Sequence, residues 1–274
     1  MASRRNFFKQ SLALAPALSA IPAIVTSNKT KPDDGDFIQL FDGKTLNGWH
    51  VNPEKIWHGT GGRWTVEEGA IVGEQDPPGS GNGGILLTDQ KFADFELHLE
   101  IKPDWGVDSG LFLRGNDEGK CIQMMIDYLE GGIVGHLYGE GTGAFNTRSF
   151  SLRGKNDENG RLEGFSHTPN KAYHEHPVAQ VCTPESWVNA WKLDDWNRVK
   201  VVCVGDYPVI KTWINDTLIV EFNGSTYTNP KYDRENVRAL LGRAGSIAVQ
   251  VHGGSNRWVT GAKSRWRDIK IRPL

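Results

Sequence analysis

Polar side chains that could carry out acid–base chemistry recur at every second position in three segments between residues 94 and 128. Such alternation is typical of β-strands, in which successive side chains point to opposite faces of a sheet. If the three strands are antiparallel neighbours, their polar positions share one face. The candidates on that face are His98, Glu100, Arg114, Gln123 and Asp127, with Asp108 just before the second strand.

This face has two interpretations. Antiparallel sheets ordinarily have one solvated side, on which charges serve only solubility. Here, however, the apolar side chains of Phe112 and Met125 lie among the charges, and the third segment leads into the glycine-dense run G-H-L-Y-G-E-G-T-G. Glycines let the backbone pass close to a ligand. We therefore predict a partly covered cleft that binds a small molecule.

The rest of the chain predicts the framework. Short strands separated by turn signals, with no long helical periodicity, favour an all-β sandwich of two antiparallel sheets. The run from Gly245 to His252 sends Gln250 and His252 away from the core, so both join the polar set if that strand borders the others. The terminal strand, from Trp266 to Ile271, is expected to pair with the first strand.

The organisation along the chain follows from composition. Residues 1–27 carry Arg4 and Arg5 ahead of a short apolar run, which predicts a twin-arginine-type export signal and a periplasmic or envelope location. The apolar run is too short to span a membrane. Residues 28–36 are interpreted as a linker, and 37–274 as one domain with a long loop insertion at about 145–191 that covers the cleft.

Charge and cysteine usage exclude some classes of partner. The formal net charge is −2, with 31 basic and 33 acidic residues, so there is no electrostatic case for nucleic acid. The three cysteines are widely spaced and form no metal or redox motif. His174-Glu175-His176 is a weak metal signal without a third ligand, and an exposed histidine pair is the favoured interpretation. No cofactor is predicted with certainty, and a divalent metal is left open.

Several ordered motifs resemble the 3-keto-disaccharide hydrolase domain family. They are F-I-Q-L-F-D-G-K-T-L-N-G-W, W-T-V-E-E-G-A-I-V-G, L-L-T-D-Q-K-F-A-D-F-E-L, D-S-G-L-F-L-R-G, I-A-V-Q-V-H-G-G and R-W-R-D-I-K-I. The resemblance runs from about Phe37 to the carboxyl terminus and implies a concanavalin A-like jelly roll. Many members carry a glutamate two residues before the glutamine that corresponds to Gln123, and an aspartate three after it. Here Cys121 takes the first place and Asp127 lies four after Gln123.

The resemblance also implies a reaction. A ketone at C3 of a sugar acidifies the hydrogen at C2, so a base can remove it and expel the group at C1, after which water adds. On this basis Asp127 or Glu100 is the candidate base, and His252 is the candidate proton donor or enolate partner. The expected substrate-binding residues are Arg114, Gln123, Tyr138, His98, Gln250 and Asp108. The predicted activity is cleavage of 3-keto-glycosides, with a carbohydrate as the substrate.

Two function classes stay open at this point. Jelly rolls with aromatic faces also serve as non-catalytic, lectin-like binding modules. A cluster of ionisable groups would favour the enzyme, whereas a cleft lined by tryptophans would favour the binding module. A conventional two-carboxylate glycosidase is not well supported, because the sequence lacks the E-x-D-x-x-E motif of laminarinase-type enzymes.

Overall fold

The computed structural model describes residues 36–274, so the predicted export signal and nearly all of the linker lie outside the described residues. The strands are β1 (Ile38–Gln39), β2 (Trp49–Val51), β3 (Arg63–Glu67), β4 (Ala70–Glu74), β5 (Gly84–Phe92), β6 (Phe95–Ile101), β7 (Val107–Gly115), β8 (Cys121–Tyr128), β9 (Val134–Glu140), β10 (Phe150–Asn156), β11 (Leu162–Pro169), β12 (Gln180–Val181), β13 (Asn197–Val204), β14 (Val209–Ile214), β15 (Thr217–Asn223), β16 (Gly245–Val251) and β17 (Ser264–Pro273). The helices are a 3-10 helix (Lys171–Glu175), α1 (Pro184–Ala190) and α2 (Arg234–Leu241).

Most strands belong to two antiparallel sheets. The front sheet has the strand order β2-β5-β16-β7-β8-β9. The back sheet has the order β12-β15-β14-β13-β6-β17-β4-β3, and β1 pairs with β17 at its side. The predicted sandwich of two antiparallel sheets is confirmed, and so is the pairing of the first strand with the last.

Strands of the back sheet such as β6 and β13 alternate between buried positions that face the core and more exposed positions on the other side. In β6 and β13 the inward positions lie opposite each other, as in the pairs Leu97 with Val201 and Leu99 with Val199. These four side chains are almost fully buried, while the alternate positions of β6 are only partly covered. The apolar faces of both sheets form one continuous core cluster.

The central strands of the front sheet are buried on both faces. Every residue of β7 and β8 is buried. One face packs into the core through residues such as Leu111 and Met124. On the other face Phe112 and Cys121 join a second apolar cluster together with Ile56, which arrives on a loop. Because loops cover this outer face, its polar side chains lie in a partly enclosed space rather than in open solvent.

The segment at 145–191 is more regular than the sequence predicts. Instead of a long loop it contains the β10–β11 hairpin, the 3-10 helix, β12 on the edge of the back sheet, and α1. Aromatic packing explains this order, because Trp187 is buried, stacks on Trp191 at 5.2 Å between ring centroids, and donates from Nε1 to the carbonyl of Val134 at 2.8 Å. The expectation of a long irregular loop is therefore wrong for most of the segment, although Arg148 within it reaches the cavity.

Both α-helices are short and begin at a capping side chain. Thr183 accepts a hydrogen bond from the Ser186 amide at the start of α1, and Asp233 caps α2. Within residues 36–274, no helix has the length and apolar character that crossing a membrane requires.

Candidate active site

Two aspartates lie side by side on the outer face of the front sheet. Asp108 on β7 pairs in register with Asp127 on β8, and both are about 95% or more buried. Burial raises the pKa of both carboxyl groups, and the nearby Asp108 charge raises the pKa of Asp127 further, to well above its usual range. The two carboxyl groups face each other across the strand pair, so a proton is favoured on Asp127 beside the Asp108 charge. The raised pKa values favour a proton held between the two carboxyl groups, although each group also faces an arginine.

Two arginines flank the aspartate pair, and each comes from outside the front sheet. Arg148 Nη2 lies 2.8 Å from Asp127 Oδ2, while Arg257 forms an ion pair with Asp108. Thr147 holds the neighbouring backbone, because its amide donates to the Leu137 carbonyl at 2.9 Å and its hydroxyl accepts from the Leu137 amide at 2.8 Å. Both guanidinium groups are partly exposed, so they can also contact a ligand.

Glu140 and Tyr138 extend the site along β9. Their side chains point to the same side of the strand as Asp127, because Tyr138 pairs in register with Gln123. Burial raises the pKa of Glu140 to about 7, the Asp127 charge adds to the rise, and an interaction with the Trp57 side chain opposes it. Glu140 is therefore poised to gain or lose a proton near neutral pH.

His252 follows directly after β16. Its amide donates to the Asp108 carbonyl at 3.2 Å, which brings the ring beside the aspartate pair. Burial lowers the pKa of His252, so the ring is neutral at pH 7. Nδ1 contacts the Gly253 carbonyl and must carry the proton there, which leaves Nε2 as an acceptor. This tautomer suits a base or a hydroxyl-binding group better than the proton donor predicted from the sequence.

A buried amide chain supports the floor of the site. Gln123 Nε2 donates to Gln250 Oε1 at 3.0 Å, and Gln250 Nε2 lies 2.9 Å from His58 Nε2. His58 is fully buried, and burial lowers its pKa to about 3, so its ring stays neutral. A Cβ on Gly110 would lie 1.9 Å from the Gln123 amide, so only glycine leaves room for this side chain.

These groups line one cavity of about 160 Å³. That volume is about ten times what a single water needs, so it suits a group the size of a sugar ring. The lining residues are Trp57, Asp108, Gln123, Met125, Asp127, Tyr138, Glu140, Arg148, His252 and Arg257. Gln250 lies behind this lining, hydrogen-bonded to Gln123.

Two of the predicted site residues lie on the other sheet. Glu100 and His98 lie on β6, which belongs to the back sheet, where Glu100 pairs with Arg267 and His98 with Glu96. Alternation identified the outward face of β6 correctly but could not identify its sheet. Asp108 does line the cavity, but it lies within β7 and not just before that strand.

Arg114 is turned away from the cavity by its backbone. Its φ of 53° is in the left-handed region, so the alternation along β7 does not continue to this residue. The guanidinium instead donates to the carbonyls of Ala93 and Gly205 and to Asp94, all at 2.8–2.9 Å. Arg114 therefore ties two loops together and does not contact a ligand in the cavity.

Sequence reasoning missed Trp57, His58, Glu140, Arg148 and Arg257. Glu140 had a signal, because it lies two residues after Tyr138 in the same alternation. The other four are on connecting segments, where periodicity carries no information about direction.

No group of three or more histidine, cysteine, aspartate or glutamate side chains in the described part of the chain is arranged to hold a metal ion. The three cysteines there, Cys121, Cys182 and Cys203, are unpaired.

Comparison with known proteins decides the family. Residues 36–272 match the model of the 3-keto-alpha-glucoside-1,2-lyase-like domain. The chain belongs to this family. The match agrees with the resemblance found in the motifs and covers nearly all the residues that the structure describes.

One named relative and two solved structures are similar to this chain. A Bacteroides thetaiotaomicron protein named 3-keto-disaccharide hydrolase is 38% identical over 86 residues, which are 30% of this chain and only 28% of that relative. Two crystal structures of putative glycosyl hydrolases from Parabacteroides distasonis align over 87% of this chain. One has a TM-score of 0.50 at 19% identity and is covered over 99% of its length, and the other has 0.49 at 16% and 94%. The structure with the TM-score of 0.50 shares the jelly-roll fold of the present protein.

Proposed function

We propose that the protein is a glycoside-cleaving enzyme that acts on 3-keto-glycosides, including 3-keto-disaccharides. Family membership supports this substrate class. The observation that carries the proposal is the cavity itself, in which Glu140 shares one enclosed space with the proton-holding Asp108–Asp127 pair and two guanidinium groups. Such a space offers a base, an acid and cationic donors together.

Each step of the proposed reaction is assigned to a side chain in the cavity. With the ketone at C3, Glu140 as carboxylate takes the hydrogen from C2, and the electron pair moves onto the C3 oxygen. Arg257 or Arg148 stabilises the resulting enolate oxygen through its charge. The enolate then collapses, the bond from C1 to the glycosidic oxygen breaks, and Asp127 gives its proton to the departing oxygen. A double bond between C1 and C2 is left in the 3-keto sugar.

Water completes the cycle by adding across that double bond. Its oxygen bonds to C1, with the proton lost from the water returning to the Asp108–Asp127 pair, and Glu140 returns a proton to C2. Both acid–base groups thereby regain their starting states. The products are a free 3-keto sugar and the released alcohol or second sugar. His252 Nε2, as an acceptor, suits a hydrogen bond from a sugar hydroxyl or the incoming water.

A chromogenic substrate tests this proposal directly. Incubation with 4-nitrophenyl 3-keto-glucoside should release nitrophenol, whereas the unoxidised glucoside should stay intact because its C2 hydrogen is not acidic. In deuterated water the 3-keto product should carry deuterium at C2, beyond the exchange seen without protein. Release of nitrophenol with the C2 hydrogen retained would contradict the elimination route, and the same assay with a chelator tests metal dependence.

A non-catalytic sugar-binding module is the second candidate. The exposed indole of Trp57 at the cavity favours it, since aromatic faces bind sugar rings. The ionisable lining argues against it, because burying carboxyl groups is costly and is not needed for simple binding. Saturable sugar binding without any turnover would decide for the binding module.

A further inference from the structure

Trp57 is unusual among the large apolar side chains of residues 36–274. It is 62% exposed, more than Val51, Val259 or Leu274, and it alone of these lines the cavity. Single exposed apolar residues are common on protein surfaces and need no explanation. An exposed indole at the edge of a polar cavity is different, because a tryptophan offers a broad flat face to any ligand that enters.

The indole is held firmly in place. Its ring lies against the buried ring of His58 at 3.7 Å between centroids, and it meets the His252 ring edge to face at 5.2 Å between centroids. The loop beneath is fixed by hydrogen bonds from the Gly59 amide to the Ile56 carbonyl and from the Gly83 amide to the His58 carbonyl, both 2.9 Å. Ile56 is buried in the second apolar cluster. A side chain fixed in this way loses little entropy when it binds a ligand.

The position of Trp57 relative to Glu140 suggests what the indole contacts. Trp57 interacts with the Glu140 side chain, and the two residues line the same cavity. If Glu140 takes the hydrogen from C2, then C1 is one bond away, and the group leaving from C1 lies next to Glu140. The cavity has room for about one ring, so that group extends towards the exposed indole.

We propose that Trp57 is a stacking platform for the sugar ring attached through C1, which makes the site prefer substrates with two rings. A pyranose ring has a face of C–H groups that packs well on an indole. The inference rests on the proposed function, which places the 3-keto ring in the cavity. It adds a specificity residue that acts on the leaving sugar and carries no proton itself.

Two substrates and three variants test whether Trp57 acts as a stacking platform. The substrates are a 3-keto-disaccharide and methyl 3-keto-glucoside, which has no second ring. Trp57→Ala should raise KM for the disaccharide about tenfold more than KM for the methyl glycoside, because any effect of the lost indole on Glu140 is common to both substrates. Trp57→Phe keeps an aromatic face and should retain most of the preference. Val259→Ala, at a similarly exposed site outside the cavity, is the control and should change neither KM.

Binding of the unoxidised disaccharide, measured by ligand-observed NMR, separates this inference from the enzymatic proposal. If the wild type turns over neither substrate but Trp57→Ala loses disaccharide binding, the platform stands and the enzymatic proposal fails. If the wild type is active but Trp57→Ala affects both substrates equally and leaves disaccharide binding unchanged, the platform is overturned. Absence of both turnover and binding in the wild type overturns both.

Discussion

At the scale of single residues, the site separates its carboxyl groups by environment. Asp127 and Asp108 are nearly completely buried and repel each other, so they keep a proton between them. Glu140 is less strongly affected, and its pKa of about 7 places it in the range where both of its protonation states are populated. Pairs of titratable groups whose pKa values are pushed apart mark the acid and the base of a reaction.

Glu140→Gln tests the assignment of the base. Activity of the wild type on a 3-keto-glycoside should rise with pH through about 7, because Glu140 acts as the carboxylate. The variant should lose roughly 100-fold or more in kcat, the usual contribution of a general base. The measurement is kcat against pH for both proteins. Glu118→Gln, at an exposed turn, is the matched control and should behave as wild type.

The pH profile also distinguishes Glu140 from His252. The pKa of His252 is lowered by burial, so a rate controlled by its deprotonation would rise below pH 6.5 instead of near 7. A Glu140→Gln protein that keeps a normal kcat and the rise near pH 7 would exclude Glu140 as the base.

Asp127→Asn tests the shared proton through stability. The folded state raises the pKa of Asp127, so between the unfolded pKa of roughly 4 and the raised folded pKa the native chain binds more protons than the unfolded one. The contribution of Asp127 to the free energy of unfolding is fully present below pH 4, and it decreases as the pH rises towards the raised pKa of the folded state. Asparagine cannot ionise. The variant should therefore gain thermal stability relative to wild type at pH 8 but not at pH 4, while losing activity because the acid is absent.

The size of this effect is measurable. In a domain of this length about 1 kcal/mol corresponds to a shift of roughly 2–4 °C in Tm. Thermal melts of both proteins at the two pH values give the difference directly. An equal change in Tm at both values would mean that Asp127 does not carry a raised pKa.

At the scale of elements, strand placement decides which carboxylates meet the substrate. Glu100 shares the alternation of the central strands, but β6 pairs with β13 and β17 in the back sheet. Glu100→Gln should therefore leave kcat and KM for a 3-keto-glycoside unchanged. Its loss of the ion pair with Arg267, 2.7 Å apart and partly exposed, should cost no more than about 1 kcal/mol of stability. A large fall in kcat would contradict the placement of β6.

The sequence predicted the faces of strands well and the neighbours of strands less well. Alternation placed Gln123, Asp127 and Gln250 on the face where the structure has them, because a strand has a strict period of two. Pairing between distant segments depends on tertiary packing, so β6 was assigned to the wrong sheet. Arg114 shows a second limit, since one residue with positive φ ends the alternation.

Strand alternation could not predict the site residues on connecting segments, because their placement also depends on tertiary packing. Arg148 and Arg257 reach the site because of backbone hydrogen bonds that the sequence does not encode as a pattern, such as that from the Asp108 amide to the Arg257 carbonyl at 3.0 Å. They supply both of the cations in the cavity lining. Sequence alone could therefore predict a polar face on a sandwich, but not the charge balance of the cavity.

At the scale of the whole molecule, the described domain is stabilised by packing instead of covalent links. The cysteines of residues 36–274 are unpaired, and the two sheets share one continuous apolar core. Such a domain can fold in a reducing compartment. The twin-arginine pathway carries proteins that are already folded, and Arg4 and Arg5 predict that route for this chain.

We propose on this basis that the chain is exported to the cell envelope, and replacement of Arg4 and Arg5 by lysine tests the route. The double substitution keeps the positive charge of the segment, so a signal read by charge alone would still work. A twin-arginine signal should fail, and the protein should accumulate in the cytoplasm of a bacterium that has this pathway. Fractionation followed by immunoblotting measures the change, and Lys9→Arg is the control that should export normally. Export of the double variant at the wild-type level would contradict the predicted route while leaving the assignment of the cavity untouched.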